Sequence, residues 1–556
     1  MPTATSHQST KNTYGYLRKY ARNDDTWQPW ATPDTTGLAR QTIDALRNGK
    51  EVSVLQLESV VSLTAHPRSL YLLNDPALID ACILRLIRLQ KQDPTYPFGY
   101  EAGYLLFRTV VLAVGIRTIG RVKRKYDIII TKLLENERKE DLSVMLMDYV
   151  TGTAMEHISQ TPFSPYPFLG WSSRDRFFKD ALISEQNALA LLDILWTDRK
   201  GFLKAWAESH APSMFGIICI IWRCVEMSST RHRWGIFCEV LWRYHVVAGT
   251  EHLGLVPLQD SARHHIEDWK HITSRLDLED ARNIMQAYTE RITSISILYP
   301  IPNLAAIGQM VAFVVPMTGL TSGTEDLFIP LIRATFEYFW STVAGKTLHT
   351  KFSLEVEDVA STVLPAYTML DHLHKRSPGR VHEFVTTCAE LGVIEALARG
   401  FVLMKEEREF DEEAKFQYLF EGCANFGAML ALVDPAIFRV STFAPAFPDW
   451  YKALRYMRAR DSMFNTRTQR KGWYKRAELI WGKTGEYLEY DEEVQGAEVL
   501  SSGCAYTRCP NPESVKGVRF ECPCNQGVVY CGHRCQKADW TLNLPGSHRR
   551  KCRYRW

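Results

Sequence analysis

Apolar residues recur every three or four positions from about residue 37 to about residue 491, and alternation with a period of two is hard to find. The segment from Ala77 to Lys91 illustrates the pattern. Four of its apolar residues fall on one stripe: Leu78, Cys82, Leu86 and Leu89. A stripe with this spacing is typical of an amphipathic α-helix. The sequence therefore predicts an all-α fold class with a large multi-helical body.

Cap residues and Pro positions refine this prediction. Ser184 is a suitable N-cap for a helix that ends at Trp196, with Leu189, Leu192 and Trp196 on its inner face. We expect further helices at Tyr104–Ile119, Trp234–Val247, Leu327–Val343 and Glu355–His374. The last of these contains Pro365, which should kink or split it.

A repeat architecture is one of two interpretations of the helical body. The segment from Val381 to Met404 predicts two short apolar helices broken at Gly392. This junction resembles that of armadillo-type repeats, in which a tight turn folds one helix back on the next. No fixed period of about 40 residues runs along the chain. The body is therefore either an armadillo-like α-solenoid or an irregular helical array.

The chain is expected to have four regions. Residues 1–36 are polar and rich in Ser and Thr, which predicts a disordered N-terminal segment. The helical body occupies residues 37–466. Residues 467–503 form a connecting helix and linker, in which Trp473, Ala477, Ile480 and Leu488 have near-helical spacing. A small C-terminal domain occupies residues 504–552.

The composition is ordinary for a soluble intracellular protein, cytoplasmic or nuclear. The chain is 46% apolar and 23% charged, and its N-terminus has no apolar segment of signal-peptide length. The longest uncharged run, Ile292 to Thr324, is interrupted by Pro300, Pro302 and Pro316, so we expect buried core helices and no membrane contact.

Charge adds one feature at the C-terminus. Residues 504–556 hold ten Lys or Arg and three Asp or Glu, on a chain whose net charge is +3. Thiolates bound to metal would reduce this excess, so nucleic acid is not the partner we expect. A nucleic-acid-associated regulator using this basic tail stays an alternative.

Cysteine is concentrated in the same region. Seven of the thirteen cysteines lie in the last 53 residues, with a histidine, in the pattern C-x4-C-x12-C-x-C-x6-C-x3-C-x12-H-x3-C. Short spacings let two side chains from one turn bind the same ion, and Cys with His is the ligand set of structural zinc. Eight ligands make two closed tetrahedral sites. The predicted ligands of two zinc ions are Cys504, Cys509, Cys522, Cys524, Cys531, Cys535, His548 and Cys552.

The stretch Val528–Trp540 (VVYCGHRCQKADW), followed by His548 and Cys552, resembles the MYND-type zinc finger. The resemblance covers about 50 residues. It implies interleaved ligand pairs, first with third and second with fourth. One ion would take Cys504, Cys509, Cys531 and Cys535, and the other Cys522, Cys524, His548 and Cys552. The C-x-C pair and the seven residues between Trp540 and His548 depart from the family pattern, which leaves His533 as an alternative ligand.

The same resemblance implies a function. MYND domains bind short proline-containing peptides of partner proteins, and Gln536 and Trp540 match the positions that line that surface. The sequence is thus interpreted as a non-enzymatic adaptor with a helical scaffold. A SET-type lysine methyltransferase is the enzymatic alternative, and it is disfavoured because the Asn-His-Ser-Cys-type stretch of that family is missing.

Other candidate chemistry is weaker. The Gly-Lys-Thr ends at residues 345–347 and 482–484 have Trp340 and Ala477 where a phosphate loop needs glycine. Asp371, His372 and His374, with His382 nearby, are residue types that hold metals. Alternate residues on a helix face different ways, which predicts an ordinary polar surface instead. The six body cysteines are predicted core residues: Cys82, Cys219, Cys224, Cys238, Cys388 and Cys423.

Overall fold

The structure is a computed structural model. It describes residues 14–20, 35–93, 97–122, 125–135, 142–159, 165–171, 180–209, 213–228, 230–248, 254–255, 258, 261–262, 276–293, 304–318, 321–343, 355–404, 411–464, 473–490, 504, 506, 520–522, 524, 528–530, 533–542, 548 and 552. Over these residues the chain is helical apart from one short hairpin near the C-terminus, which confirms the predicted all-α class. It divides into two compact units, Met1–Leu276 with Ser294–Pro302, and Asp277–Thr293 with Asn303–Trp556.

The first unit is built from eleven α-helices in the described residues. They are α1 (Thr35–Arg47), α2 (Val54–Val61), α3 (Pro76–Gln92), α4 (Glu101–Gly120), α5 (Lys125–Glu135), α6 (Leu142–Ala154), α7 (Tyr166–Leu169), α8 (Glu185–Thr197), α9 (Arg199–Glu208), α10 (Phe215–Ser228) and α11 (Arg231–Val247). Short 3-10 helices span Gly15–Tyr20, Ser62–Ala65 and Pro67–Leu73, and a π-helical turn spans Met155–Ser159.

Helix α4 forms the centre of this unit. It contacts α2, α3, α6 and α10, and its side chains are buried from Gly103 to Ile119. A helix buried on all sides needs apolar residues all round. Among the described residues, α4 is the one helix long and apolar enough to cross a membrane, and 94% of its apolar window is buried inside the protein.

Helix α8 begins at the predicted residue, but the face that it buries differs from the predicted one. Ser184 is the N-cap, and its Oγ accepts a hydrogen bond of 3.1 Å from the backbone N–H three residues later. Leu192 is buried, whereas Leu189 and Trp196 are only half-buried. The Arg199 guanidinium lies 4.4 Å from the Trp196 ring centroid, which gives that ring a partner at the surface. The buried face is completed by Ala188, Leu191 and Leu195.

The prediction of a disordered N-terminal segment is wrong for residues 14–20. Residues 14–20 include a 3-10 helix in which Tyr16 and Leu17 are buried. The Tyr16 hydroxyl donates to the carbonyl oxygen of Phe98 at 2.6 Å, so apolar burial and one buried hydrogen bond fix the segment. Residues 1–13 and 21–34 lie outside the described part of the chain, and α1 begins at Thr35.

The second unit contains the remaining helices and the hairpin. Its helices are α12 (Leu278–Thr293), α13 (Leu304–Thr318), α14 (Phe328–Val343), α15 (Val356–Arg376), α16 (Val381–Glu390), α17 (Val393–Leu403), α18 (Asp411–Ala431), α19 (Ala436–Phe443), α20 (Phe447–Phe464), α21 (Trp473–Tyr487) and α22 (His533–Leu542). Strands β1 (Phe520–Glu521) and β2 (Val529–Tyr530) form the hairpin. Further 3-10 turns span Glu325–Leu327, Pro378–Arg380 and Ala444–Ala446.

Helix α15 is central to this unit and runs through Pro365 without ending. It contacts α13, α14, α16, α17 and α18, and Pro365 itself is buried. The predicted split at this residue is therefore wrong. A proline removes one backbone hydrogen bond, and here both halves of the helix are held by burial against neighbouring helices. Helix α13 occupies the middle of the uncharged run Ile292–Thr324 and is largely buried.

The break predicted at Gly392 is confirmed. Helix α16 ends at Glu390, α17 begins at Val393, and Gly392 has a left-handed backbone with φ of +72°. Glycine adopts this conformation without the steric cost that a Cβ brings. The two helices contact each other across the turn.

The predicted connecting helix exists as α21, and a tryptophan pair holds it against α20. The Nε1 of Trp450 donates to the carbonyl oxygen of Trp481, and the Nε1 of Trp481 donates to that of Trp450, each at 2.9 Å. Both rings are buried. Residues 491–503, the remainder of the predicted linker, lie outside the described part of the chain.

Two glycines of α21 provide a matched test of this packing. A Cβ at Gly485 would overlap the Trp450 ring, whereas a Cβ at Gly482 meets nothing within 4 Å. We expect Gly485→Ala to destabilise the second unit by about 1–3 kcal/mol through overpacking. Gly482→Ala should stabilise it by about 0.5–1 kcal/mol through helix propensity. Urea unfolding followed by tryptophan fluorescence measures both. Equal effects of the two substitutions would contradict the tight α20–α21 contact.

Candidate metal centre

Four side chains near the C-terminus converge on one point. The ligand atoms of Cys522, Cys524, His548 and Cys552 all lie within 4.8 Å of one another. The Sγ atoms of Cys522 and Cys552 are 3.5 Å apart, and the Cys524 Sγ is 3.0 Å from the His548 Nε2. Two sulfurs on one tetrahedral ion with bonds of about 2.3 Å lie about 3.8 Å apart. The cluster therefore has the size that a single four-coordinate metal ion requires.

The hairpin positions the first two of these side chains. Phe520 of β1 pairs with Tyr530 of β2 in an antiparallel register. The Cys522 N–H donates to the Val528 carbonyl oxygen at 2.9 Å and extends this pairing by one step. Cys522 thus lies at the end of the paired strands, and Cys524, two residues further on, belongs to the same cluster.

A single helical turn positions the other two. The Cys552 N–H donates to the His548 carbonyl oxygen at 2.8 Å, which is the hydrogen bond of one α-helical turn. Residues four apart lie on one side of such a turn. His548 and Cys552 are both buried, with 6% and 8% of their surface exposed.

A buried carboxylate connects the hairpin to this turn. Asp539 of α22 is fully buried, and its Oδ2 accepts from the Tyr530 hydroxyl and from the His548 backbone N–H, each at 2.9 Å. Burial raises the pKa of this carboxyl, against the lowering effect of the two hydrogen bonds. Sequence analysis did not identify Asp539 as a site residue. Because its Oδ2 binds the backbone of His548, Asp539 helps to orient one of the four candidate ligands.

Whether the thiols of the cluster are protonated depends on whether a cation is bound. Burial, followed by the nearby thiols of Cys524 and Cys552, raises the pKa of the Cys522 thiol to about 11. Without a cation this thiol is neutral at pH 7. Metal binding deprotonates such thiols because only the thiolate is a ligand. The chemistry of the donor set, three cysteines and one histidine, fits a metal ion.

The other predicted set is only partly described. Cys504 and Cys535 are buried in one hydrophobic cluster with Tyr506 and Tyr530, against which Phe520 and Val528 pack. Cys509 and Cys531 lie outside the described residues, as does the side chain of His533. The structure thus places two of the four predicted ligands in one cluster.

The two predicted peptide-binding residues lie on α22. Gln536 and Trp540 are both half-buried and stand four residues apart. This spacing places them on one face of the helix. The same helix contributes Cys535 and Asp539 to the interior.

The candidate site at Asp371–His374 does not assemble. Asp371 accepts from the Lys375 Nζ at 2.7 Å, and the His372 Nε2 lies 3.4 Å from an oxygen of Glu325. The prediction of a polar surface is wrong for His372, which is buried under the Phe328 ring. His382 packs on Phe438.

The six body cysteines are buried, as predicted for core residues. Burial raises the pKa of the Cys82 and Cys423 thiols to about 12, so these thiols are neutral at pH 7. A neutral buried thiol behaves as a small apolar side chain.

Comparison with known proteins adds no assignment to this geometry. No protein-family model, curated protein or solved structure matches the chain.

Proposed function

We propose that this chain is a non-enzymatic, zinc-binding adaptor. A MYND-like finger, residues 504–552, holds two zinc ions and recruits a partner protein through a short proline-containing peptide, and the helical units serve as its scaffold. The observation that carries this proposal is the convergence of three cysteines and one histidine within 4.8 Å. Thiolate with imidazole is the donor set of structural zinc.

The arrangement of the pairs supports a finger of this kind. The cluster joins the second ligand pair, Cys522 with Cys524, to the fourth, His548 with Cys552. In the other set, Cys504 comes from the first pair and Cys535 from the third, and both lie in one buried cluster. This is the interleaved order that the sequence resemblance implies.

The number of protein ligands favours a structural, binding role of the metal over a catalytic one. Four protein ligands fill a tetrahedral shell and leave no position for water or substrate, whereas catalytic zinc keeps one position open. The ions would then stabilise a module too small to fold on apolar burial alone.

The recruiting surface is assigned to α22. Gln536 and Trp540 lie on one half-exposed face of this helix, and a tryptophan ring with an accessible face is a good surface for proline. The scaffold role rests on the helical units, in which the fold-back at Gly392 is the feature shared with armadillo-type arrays.

Peptide binding by the zinc-loaded full chain tests the proposal. Labelled proline-containing peptides, each paired with a version in which alanine replaces proline, are titrated and followed by fluorescence anisotropy. We expect Trp540→Ala to weaken binding about tenfold or more, as for a central interface tryptophan, and Gln536→Ala to weaken it less. Gln417→Ala on α18, where the side chain is half-buried as Gln536 is, is the matched control.

The zinc content of Trp540→Ala is measured in parallel, so that loss of binding is separated from loss of the finger. Binding that is equal for the proline and alanine peptides would contradict proline recognition. Unchanged affinity of a zinc-loaded Trp540→Ala variant would remove α22 as the recruiting surface.

A further inference from the structure

A buried lysine of the helical body reaches the proposed finger. Lys452 lies on α20 and is 4% exposed. Its Nζ is 3.6 Å from the Sγ of Cys535 on α22, across 83 residues of sequence. The same Nζ is 3.8 Å from the Oδ1 of Asp449, one helical turn earlier. The ammonium therefore lies between a carboxylate and a sulfur, both buried.

A charge in this position requires an anion close by. A buried ammonium is strongly destabilising unless it is paired and hydrogen-bonded. The distance to Asp449 exceeds that of a hydrogen bond, whereas 3.6 Å is suited to a hydrogen bond with the larger sulfur atom. A neutral thiol is a weak acceptor, but a thiolate is an anion and a strong one.

We propose that Lys452 is the counter-cation of the metal-bound thiolate of Cys535, and that this contact fixes the finger to the helical body. The inference rests on the proposed zinc finger. A zinc ion with four thiolates carries a net charge of −2, so a buried ammonium donating to one sulfur stabilises the loaded site. Lys452 is thus a positioning residue from outside the finger.

The surrounding structure supports a fixed attachment. Helix α20 is held by the reciprocal hydrogen bonds of Trp450 and Trp481, so the Lys452 backbone has little freedom to move. On the other side, Cys535 precedes Asp539 by one turn of α22, and Asp539 binds the backbone of His548. A single helix therefore connects the lysine contact to the Cys522–Cys552 cluster.

Zinc release from the full-length protein to an excess of chelator tests the inference. We expect Lys452→Met to speed the release of one of the two zinc equivalents by about 10- to 100-fold, the usual effect of losing an outer-shell partner. Lys452→Arg, which keeps the charge, should fall between this variant and the unmodified chain. The control is Lys375→Met, which removes an exposed lysine paired with Asp371 and should leave the release rate unchanged.

A double variant separates the two anions that face Lys452. In Lys452→Met with Asp449→Asn, the carboxylate that lies 3.8 Å from the lysine loses its charge together with the ammonium, so the body should fold even if the single variant does not. Release should stay fast, because the thiolate still lacks its cation. A wild-type release rate in either variant would overturn the inference, since the Lys452 ammonium would then contribute nothing to the retention of zinc.

The experiments distinguish failure of the proposed function from failure of the role proposed for Lys452. Elemental analysis of the unmodified chain that finds fewer than two zinc equivalents would contradict the two-site finger itself, before any variant is made. Two equivalents with no effect of Lys452→Met would leave the finger in place and remove only the role of Lys452.

Discussion

Replacement of His548 by alanine is expected to remove one metal ion and to unfold the segments that its cluster joins, residues 520–530 and 548–552. His548 is one of the four side chains that converge within 4.8 Å, and the hydrophobic cluster around Tyr506 and Tyr530 is small. In peptides of this size, metal binding supplies about 10–16 kcal/mol of the folding free energy. Burial also favours the neutral form of the remaining thiols, which opposes the deprotonation that metal binding requires. Cys552→Ala should have the same effect, because both residues come from one turn.

Metal analysis and hydrogen exchange of full-length protein measure this outcome. The metal content should fall by one equivalent, and amide protection should be lost in peptides covering residues 520–530 and 548–552 but kept in α15 and α18. Cys388→Ala is the matched control, because Cys388 is also buried and lies in the second unit. It should lower stability without changing the metal content. Retained metal and retained protection in His548→Ala would show that the module folds on other contacts.

Helical periodicity predicted most elements because these helices are amphipathic or fully apolar. The segment Ala77–Lys91 appears as α3, and the N-cap at Ser184 and the break at Gly392 are confirmed. These signals are local, and each depends on one side chain or one backbone angle.

The errors come from tertiary contacts that no local pattern contains. Pro365 stays inside a helix because neighbouring helices hold both of its sides. Trp196 of α8 was predicted on the buried face, but it lies nearer the surface, where Arg199 gives its ring a partner. Residues 14–20 are ordered by a hydrogen bond to Phe98, 82 residues away.

In the candidate site, too, local sequence signals were predictive and tertiary contacts were not. The short Cys and His spacings indicate which side chains leave one turn together, and the family resemblance implies how the turns pair. Asp539 stands in the Asp-Trp dipeptide of the finger motif, but its bond to the His548 backbone depends on the fold. Lys452 lies 83 residues from Cys535 within an ordinary helical pattern, so no spacing could relate the two.

Loss of one partner of the buried ion pair in α11 is expected to destabilise the first unit severely. The Arg243 Nε donates to the Glu239 Oε1 at 2.7 Å, and the two side chains are 0% and 2% exposed. We expect Glu239→Gln to cost about 3–5 kcal/mol, because it removes the charge of the carboxylate that lies 2.7 Å from a fully buried guanidinium. The loss of stability should be measured by hydrogen exchange of peptides from α10 and α11. A chain of two units does not unfold in one step, so a single unfolding free energy for the whole chain is not defined.

Two further variants decide whether the charge is the cause. Glu208→Gln removes the carboxylate of a surface pair, in which the Lys204 Nζ lies 4.0 Å from Glu208 and the side chains are 34% and 48% exposed. An exposed pair four residues apart on a helix contributes about 0.3–0.5 kcal/mol, so this control should change little. Glu239→Leu with Arg243→Met replaces both buried charges by apolar groups of similar volume and should recover most of the lost stability. If the double variant is as unstable as Glu239→Gln, packing and not the unpaired charge governs this part of α11.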